Sequence, residues 1–339
     1  MARSISFDGP LARPDTPAMT AIAPNEAPLP PAPRPERHLK IGLQLPEAER
    51  EVRWSELLEL ARAAEDLGYD SLWVGDHLLY RDADGTNRGP WEAWSLLAAL
   101  AAVTHRVELG PLVAATSFRE PALLAKEAAT IDEISGGRLI LGLGAGWNEV
   151  EYRAYGFPYD HRVSRFAEAF TIIRTLLREG AIDVAGDFYT ARDCVLVPRG
   201  PRPEGPPLMV GSIGARMLAI TAPHVQAWNA WHDWFGNTPE GLVPILGQVD
   251  AAVAAAGREP ASVERTATVL VRLPGGTTRY RDPSSGREAP PVAGSPEEIA
   301  ERLLAYAALG VSHLQLVLEP IDRASIEALA PALELARQD

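Results

Sequence analysis

The sequence has one cysteine, Cys194. No disulfide can form within the chain, and a reducing, cytoplasmic compartment is the expected home. Histidine is scarce, with seven in 339 residues. No His-x-His follows the first expected strand, so no metal centre is expected. No apolar run approaches the roughly 18–20 residues of a membrane span. A signal peptide is not expected either, because no basic start leads into a continuous apolar segment. Positive charge is in deficit: 32 Lys and Arg stand against 45 Asp and Glu, a formal net charge of −13. An acidic surface argues against nucleic acid or an anionic membrane as partner.

The remainder is ordinary for a globular protein with a sizeable core, 46% hydrophobic and 23% charged. The first 38 residues stand apart. Pro10, Pro14, Pro17, Pro24, Pro28, Pro30, Pro31, Pro33 and Pro35 interrupt any regular element, and hydrophobic periodicity is absent. This block is expected to be a disordered tail, with one domain over residues 39–339.

From Leu39 the chain alternates short apolar runs with segments of helical spacing. Strands are predicted at 41–45, 71–74, 107–113, 139–143, 208–210, 225–228, 266–273 and 313–318. Helices are predicted at 54–67, 92–103, 121–134, 165–177, 215–220, 242–256, 296–309 and 326–336. The stretch 180–207 reads as irregular, and 274–292 as a Gly/Pro-rich insertion. Strands buried on both faces read as continuous apolar runs, as these do. Eight strand–helix units without a second domain favour a closed α/β TIM barrel, (β/α)8, over an open doubly wound sheet. Ligands then bind at the carboxyl ends of the strands.

Those ends carry the candidate chemistry. The fourth strand ends in Gly144-Ala145-Gly146, a shelf almost free of side chains that lets a ligand approach the backbone. It is not a dinucleotide fingerprint, because Trp147 stands where the third glycine of G-x-G-x-x-G belongs. Gly211-Ser212-Ile213-Gly214 leads into a helix and suits a phosphate; a glycine-rich turn capped by serine is the structural alternative. Asp76-His77 follows the second strand, where a carboxylate and an imidazole can position a ligand and move a proton. The structural alternative is a turn cap beside a polar rim residue. His224 and His313 begin strands at the opposite face and are expected to be structural.

These segments together resemble the bacterial luciferase-like monooxygenase family, and in particular its deazaflavin-dependent branch. The residues that carry the resemblance are Ile41-Gly42-Leu43-Gln44-Leu45-Pro46, the run 67–77 ending in Gly75-Asp76-His77, and Pro121-Ala122-Leu123-Leu124-Ala125-Lys126. The run 135–149 is the strongest, followed by 207–212 and 225–229. The resemblance covers about 39–335, in the family's order.

The resemblance implies a TIM-barrel oxidoreductase using the 5-deazaflavin coenzyme F-420 (F420) for hydride transfer to or from a small organic substrate. The alternative within the family is an FMN-dependent monooxygenase, and outside it a non-catalytic flavin-binding barrel. The implied cofactor contacts are Gln44, Asp76, Leu112, Val113 and Thr116 around the ring. Gly144, Ala145, Gly146 and Asn148 follow along the ribityl–phosphate path, and Gly211, Ser212 and Gly214 at the phosphate. Asp76 and His77 are the implied catalytic pair, and Trp147, Trp228 and His232 the substrate pocket. A non-prolyl cis peptide is expected at Leu112–Val113 in a distorted third strand, with Gly110–Pro111 as the other candidate bond. Trp147 replaces the glutamate of sugar-phosphate-oxidising members, which speaks against that activity. A separate flavin or deazaflavin reductase could supply reduced cofactor, and a homodimer is open to the chain.

Overall fold

The alternation closes into a barrel. The computed structural model describes residues 39–82, 84–276 and 289–338; the block 1–38 and most of the 274–292 insertion lie outside the described residues. Strands β1 (Lys40–Gln44), β2 (Ser71–Val74), β3 (Glu108–Pro111) and β4 (Leu141–Gly144) are followed by β5 (Leu208–Gly211), β6 (Ala227–Ala230), β7 (Glu264–Arg272) and β8 (Val311–Glu319). They pair in the order β3-β2-β1-β8-β7-β6-β5-β4. The ninth segment of this sheet, Ala114–Ala115, pairs with β4. It continues the chain from β3, so the two edges of the sheet are pieces of one strand, and a Leu109–Leu139 bridge helps close the seam. The third strand breaks at Leu112–Val113, whose peptide bond is cis.

The outer layer comprises α1 (Trp54–Asp66), α2 (Ala93–Val103), α3 (Pro121–Ser135), α4 (Glu149–Tyr155) and α5 (Arg162–Glu179). It continues with α6 (Ala215–Thr221), α7 (Pro239–Ala255), α8 (Pro296–Ala308) and α9 (Arg323–Gln338). Local chemistry explains their ends. Pro121, Pro239 and Pro296 sit in first turns, where no N–H is needed. Ser295 and Glu298 form a reciprocal capping box on α8. In α1, Leu57, Leu60, Ala61 and Ala64 recur at helical spacing and are buried against the barrel. Each such leucine is worth about 1.5–3 kcal/mol of burial. Two segments differ from expectation. The stretch read as irregular holds a hairpin, Ala181–Ala185 with Thr190–Val195, and α4 is an additional short helix. Among the described residues no helix is long and apolar enough to cross a membrane.

The barrel lumen is polar. Ser71 Oγ lies 2.7 Å from both Trp73 Nε1 and His313 Nε2. Asn229 donates to Thr266 Oγ1 at 2.9 Å and to Gln315 Oε1 at 2.7 Å. The Trp73 ring occupies space left by a missing side chain, since a Cβ on Gly110 would lie 2.6 Å from Trp73 Cζ3. Burial pushes the His313 imidazole down to about 3, with the charge of Lys40 adding to it. His313 is thus a neutral packing group at the closed end, as its position at the start of a strand suggested.

Candidate active site

A cavity of about 710 Å3 opens at the carboxyl ends of the strands, within the range of small-ligand sites. Strand four supplies one wall. Four consecutive carbonyls of the shelf each accept a side-chain donor. Gly144 O accepts Thr116 Oγ1 at 3.3 Å, and Ala145 O accepts the Tyr152 hydroxyl at 3.0 Å. Gly146 O accepts Arg162 Nη1 at 2.8 Å, and Trp147 O accepts the Tyr159 hydroxyl at 3.0 Å. Burial pushes the Tyr152 hydroxyl up to about 12, so it remains a donor. Gly146 has φ +71, and a Cβ there would overlap that hydroxyl. Glycine is required twice over, by conformation and by space.

The adjoining wall comes from the loops after β1 and β2. His77 Nδ1 lies 2.8 Å from Glu151 Oε1, and Nε2 lies 3.9 Å from Glu47 Oε1. Glu151 Oε2 accepts the N–H groups of Leu78 at 2.8 Å and Leu79 at 3.3 Å. Glu47 accepts Gln44 Nε2 at 2.7 Å and the Tyr80 hydroxyl at 2.5 Å. The His77 ring packs against Tyr80 and, edge-on, against Trp147, with centroids 4.8 and 5.5 Å away. Burial works to lower the His77 pKa. The hydrogen bond that His77 donates to Glu151 and the charges of Glu47, Glu151 and Asp76 outweigh it, and the net shift is upward.

Most of the residues singled out in the sequence converge here. Asp76, His77, Leu112 and Val113 line the cavity, as do Gly144, Ala145, Gly146 and Trp147. Gly211, Ser212, Gly214 and His232 also line it. The Ser212 hydroxyl accepts the Gly214 N–H at 3.3 Å, a local serine turn; the helix cap is Gly214, and no side chain caps the helix. Asp76 has a different emphasis from expectation. Its carboxylate accepts the Ala115 N–H at 3.0 Å and pairs with Arg119 Nη1 at 3.2 Å. Burial raises its pKa, opposed by Arg119 and by the Ala115 hydrogen bond. Asp76 therefore braces the seam of the barrel where it touches the cavity.

Four expected residues do not line the cavity; three of them support a group that does, and Asn148 ties down the neighbouring loop. Gln44 holds Glu47. Thr116 holds Gly144. Asn148 Nδ2 donates to Leu79 O at 2.9 Å, fastening α4 to the His77 segment. Trp228 is a correction to the pocket assignment: it is buried among the core side chains, and its indole donates to Ser212 O at 2.7 Å. Side chains alternate along a strand, so when Asn229 faces the lumen Trp228 must face out. Sequence reasoning missed Glu47, Tyr80, Glu151, Arg162, Asn229 and Trp231, all of which line the cavity. The signal for Glu151 was its place just after the shelf, on a helix too short to show periodicity.

The glycine positions suit a flat cofactor. A Cβ on Gly144 would lie 2.7 Å from Val113 Cγ2, and one on Gly211 3.2 Å from Val113 Cγ1. Neither position can carry a side chain without crowding the third strand, so the cavity keeps a bare backbone at both.

Comparison with known proteins bears on what this cavity serves. Residues 38–273 match the family described as luciferase-like monooxygenase. The chain is 30% identical over 254 residues to a 5,10-methylenetetrahydromethanopterin reductase of Archaeoglobus fulgidus, covering 74% of this chain and 70% of that one. It is 36% identical to the pyrimidine monooxygenase RutA of Cronobacter sakazakii over 50% of this chain and 51% of the relative. It is 36% identical to an F420-dependent glucose-6-phosphate dehydrogenase of Amycolatopsis mediterranei over 44% and 45%, respectively. Two solved structures share the fold. An F420-dependent secondary alcohol dehydrogenase has a TM-score of 0.74 and 19% identity, with 88% of this chain and 99% of that chain covered. A riboflavin lyase has a TM-score of 0.73 and 17% identity, over 88% and 92%. With the family match spanning most of the barrel and the shelf, and with oxidoreductases and monooxygenases as its relatives, this chain belongs to the luciferase-like monooxygenase family of enzymes.

Proposed function

We propose that the chain is an F420-dependent oxidoreductase that transfers hydride to or from a small organic molecule. The observation that carries the reading is the cavity itself, with a bare glycine shelf on one side and an imidazole held by carboxylates on the other. Among the relatives, the one aligned over 74% of the chain is a reductase, and another is F420-dependent by name. F420 bound here would supply a two-electron hydride carrier with little reactivity toward oxygen. Gly144, Ala145 and Gly146 would receive its linker and Gly211, Ser212 and Gly214 its phosphate, while Leu112 and Val113 would back its ring. His77 would face the substrate, giving or taking the proton that accompanies hydride transfer. Trp147 and His232 would enclose the substrate.

The RutA relatives support a second reading, an FMN-dependent monooxygenase. In that case a separate reductase would supply reduced FMN. Oxygen uptake separates the two. The protein is given oxidised F420, reduced F420 or reduced FMN with a panel of small alcohols, carbonyl compounds and heterocycles. F420 reoxidation or reduction without oxygen consumption supports the deazaflavin reading. Substrate-dependent oxygen uptake with FMN alone overturns it.

A further inference from the structure

We propose that Glu151 is a positioning residue that fixes the His77 ring through the short helix α4, holding Nδ1 on a buried carboxylate and leaving Nε2 on the side of Glu47. This rests on reading the cavity as the active site, and it adds a residue that the sequence did not point to.

The geometry is a clamp. The Glu151 side chain is 1% exposed, and every hydrogen bond it makes goes to the segment that carries His77. One oxygen takes His77 Nδ1 at 2.8 Å, and the other takes the N–H groups of Leu78 and Leu79. Asn148, just before α4, accepts the complementary task by donating to Leu79 O at 2.9 Å. Helix and loop are therefore locked in both directions along the backbone. A ring flip would strip Glu151 Oε1 of its donor while Oε2 kept the Leu78 and Leu79 N–H groups, a cost of about 1–3 kcal/mol.

The clamp has a chemical consequence. A carboxylate on Nδ1 favours a proton there. The charged and titratable groups facing the ring are Glu151 from α4, Glu47 from the loop after β1, Asp76 from the end of β2 and the Tyr80 hydroxyl. The carboxylates together shift the His77 pKa upward against burial, and Nε2 stands on the Glu47 side, 3.9 Å from Oε1. The clamp thus keeps a proton on Nδ1 and leaves Nε2 as the ring nitrogen not held by Glu151.

Histidine NMR tests this on the purified full chain. The His77 signals are assigned by their loss in His77→Gln. In the unaltered protein at pH 7 Nδ1 should carry a proton, facing the Glu151 carboxylate; a ring protonated on Nε2 alone overturns the proposal without any variant. In Glu151→Gln the His77 pKa should fall by at least about one unit, since an opposite charge at this range shifts a pKa by about 1–3 units. The limb of the kcat/KM–pH profile that His77 sets should move down with it. An unmoved pKa, or a moved pKa with an unmoved limb, contradicts the role. Failure of the cofactor reading registers separately, as absent binding of both cofactors, and leaves the NMR comparison standing.

Discussion

Asp76 Oδ2 accepts the backbone N–H of Ala115 at 3.0 Å, joining the end of β2 to the two-residue segment that closes the barrel. Arg119 completes the arrangement by pairing with Asp76 and with Glu92 and Glu127, and it lies over the Trp94 ring at 5.3 Å. The backbone behind the cavity is therefore held by a buried ion pair.

Asp76→Ala should destabilise the fold. It leaves the buried Ala115 N–H without its acceptor and takes one of three carboxylates from Arg119, at about 1–3 kcal/mol. Asp76→Asn keeps an acceptor for Ala115 and should lose less. Denaturant midpoints of the two variants check this; equal midpoints for Asp76→Ala and the unaltered chain would remove the bracing role.

His77→Ala should act on turnover far more than on folding. The side chain is 19% exposed and stands at the cavity wall. The rate should fall by about 10²–10⁴, as expected for loss of an acid or base. The melting temperature should stay within a few degrees. Full activity on a true substrate would return His77 to a rim residue.

His313 predicts a pH dependence of stability. Its pKa is pushed down to about 3 in the fold from an ordinary 6.5. Below 6.5 the unfolded chain binds a proton that the folded chain refuses. Stability associated with His313 is therefore intact above about pH 6.5 and declines as pH falls toward 3, by up to about 1.4 kcal/mol per unit. In His313→Gln the urea midpoint should vary less between pH 6.5 and pH 4. Parallel curves for the two proteins would show that His313 does not contribute.

Gly211→Asp should weaken cofactor binding. The substitution puts a carboxylate and a Cβ where the strand end meets the cavity, with Val113 3.2 Å away. Affinity should fall at least tenfold, or about 1.4 kcal/mol. A folded variant with unchanged affinity would move the phosphate elsewhere.

The barrel was legible because buried parallel strands announce themselves as apolar runs; β2 begins and ends where the sequence reading placed it. The hairpin at Ala181–Ala185 was not. Its exposure alternates residue by residue, a weak signal beside apolar runs. The glycine shelf and Asp76-His77 were legible because small or titratable residues at strand ends have few other uses. Glu47 and Glu151 were not, since each meets His77 only through tertiary contact. Trp228 was misplaced because composition shows a tryptophan near the site and cannot show which face of β6 it occupies.

The central claim is a deazaflavin site on the glycine shelf, and an equilibrium titration tests it most directly. The purified protein is titrated with F420 and, separately, with FMN, following quenching of tryptophan fluorescence, with Trp147 and Trp231 in the cavity wall as reporters. The account predicts saturable quenching by F420 with a Kd at least tenfold below that for FMN, and loss of that preference in Gly211→Asp. Tighter binding of FMN, or saturable binding of neither, would contradict it.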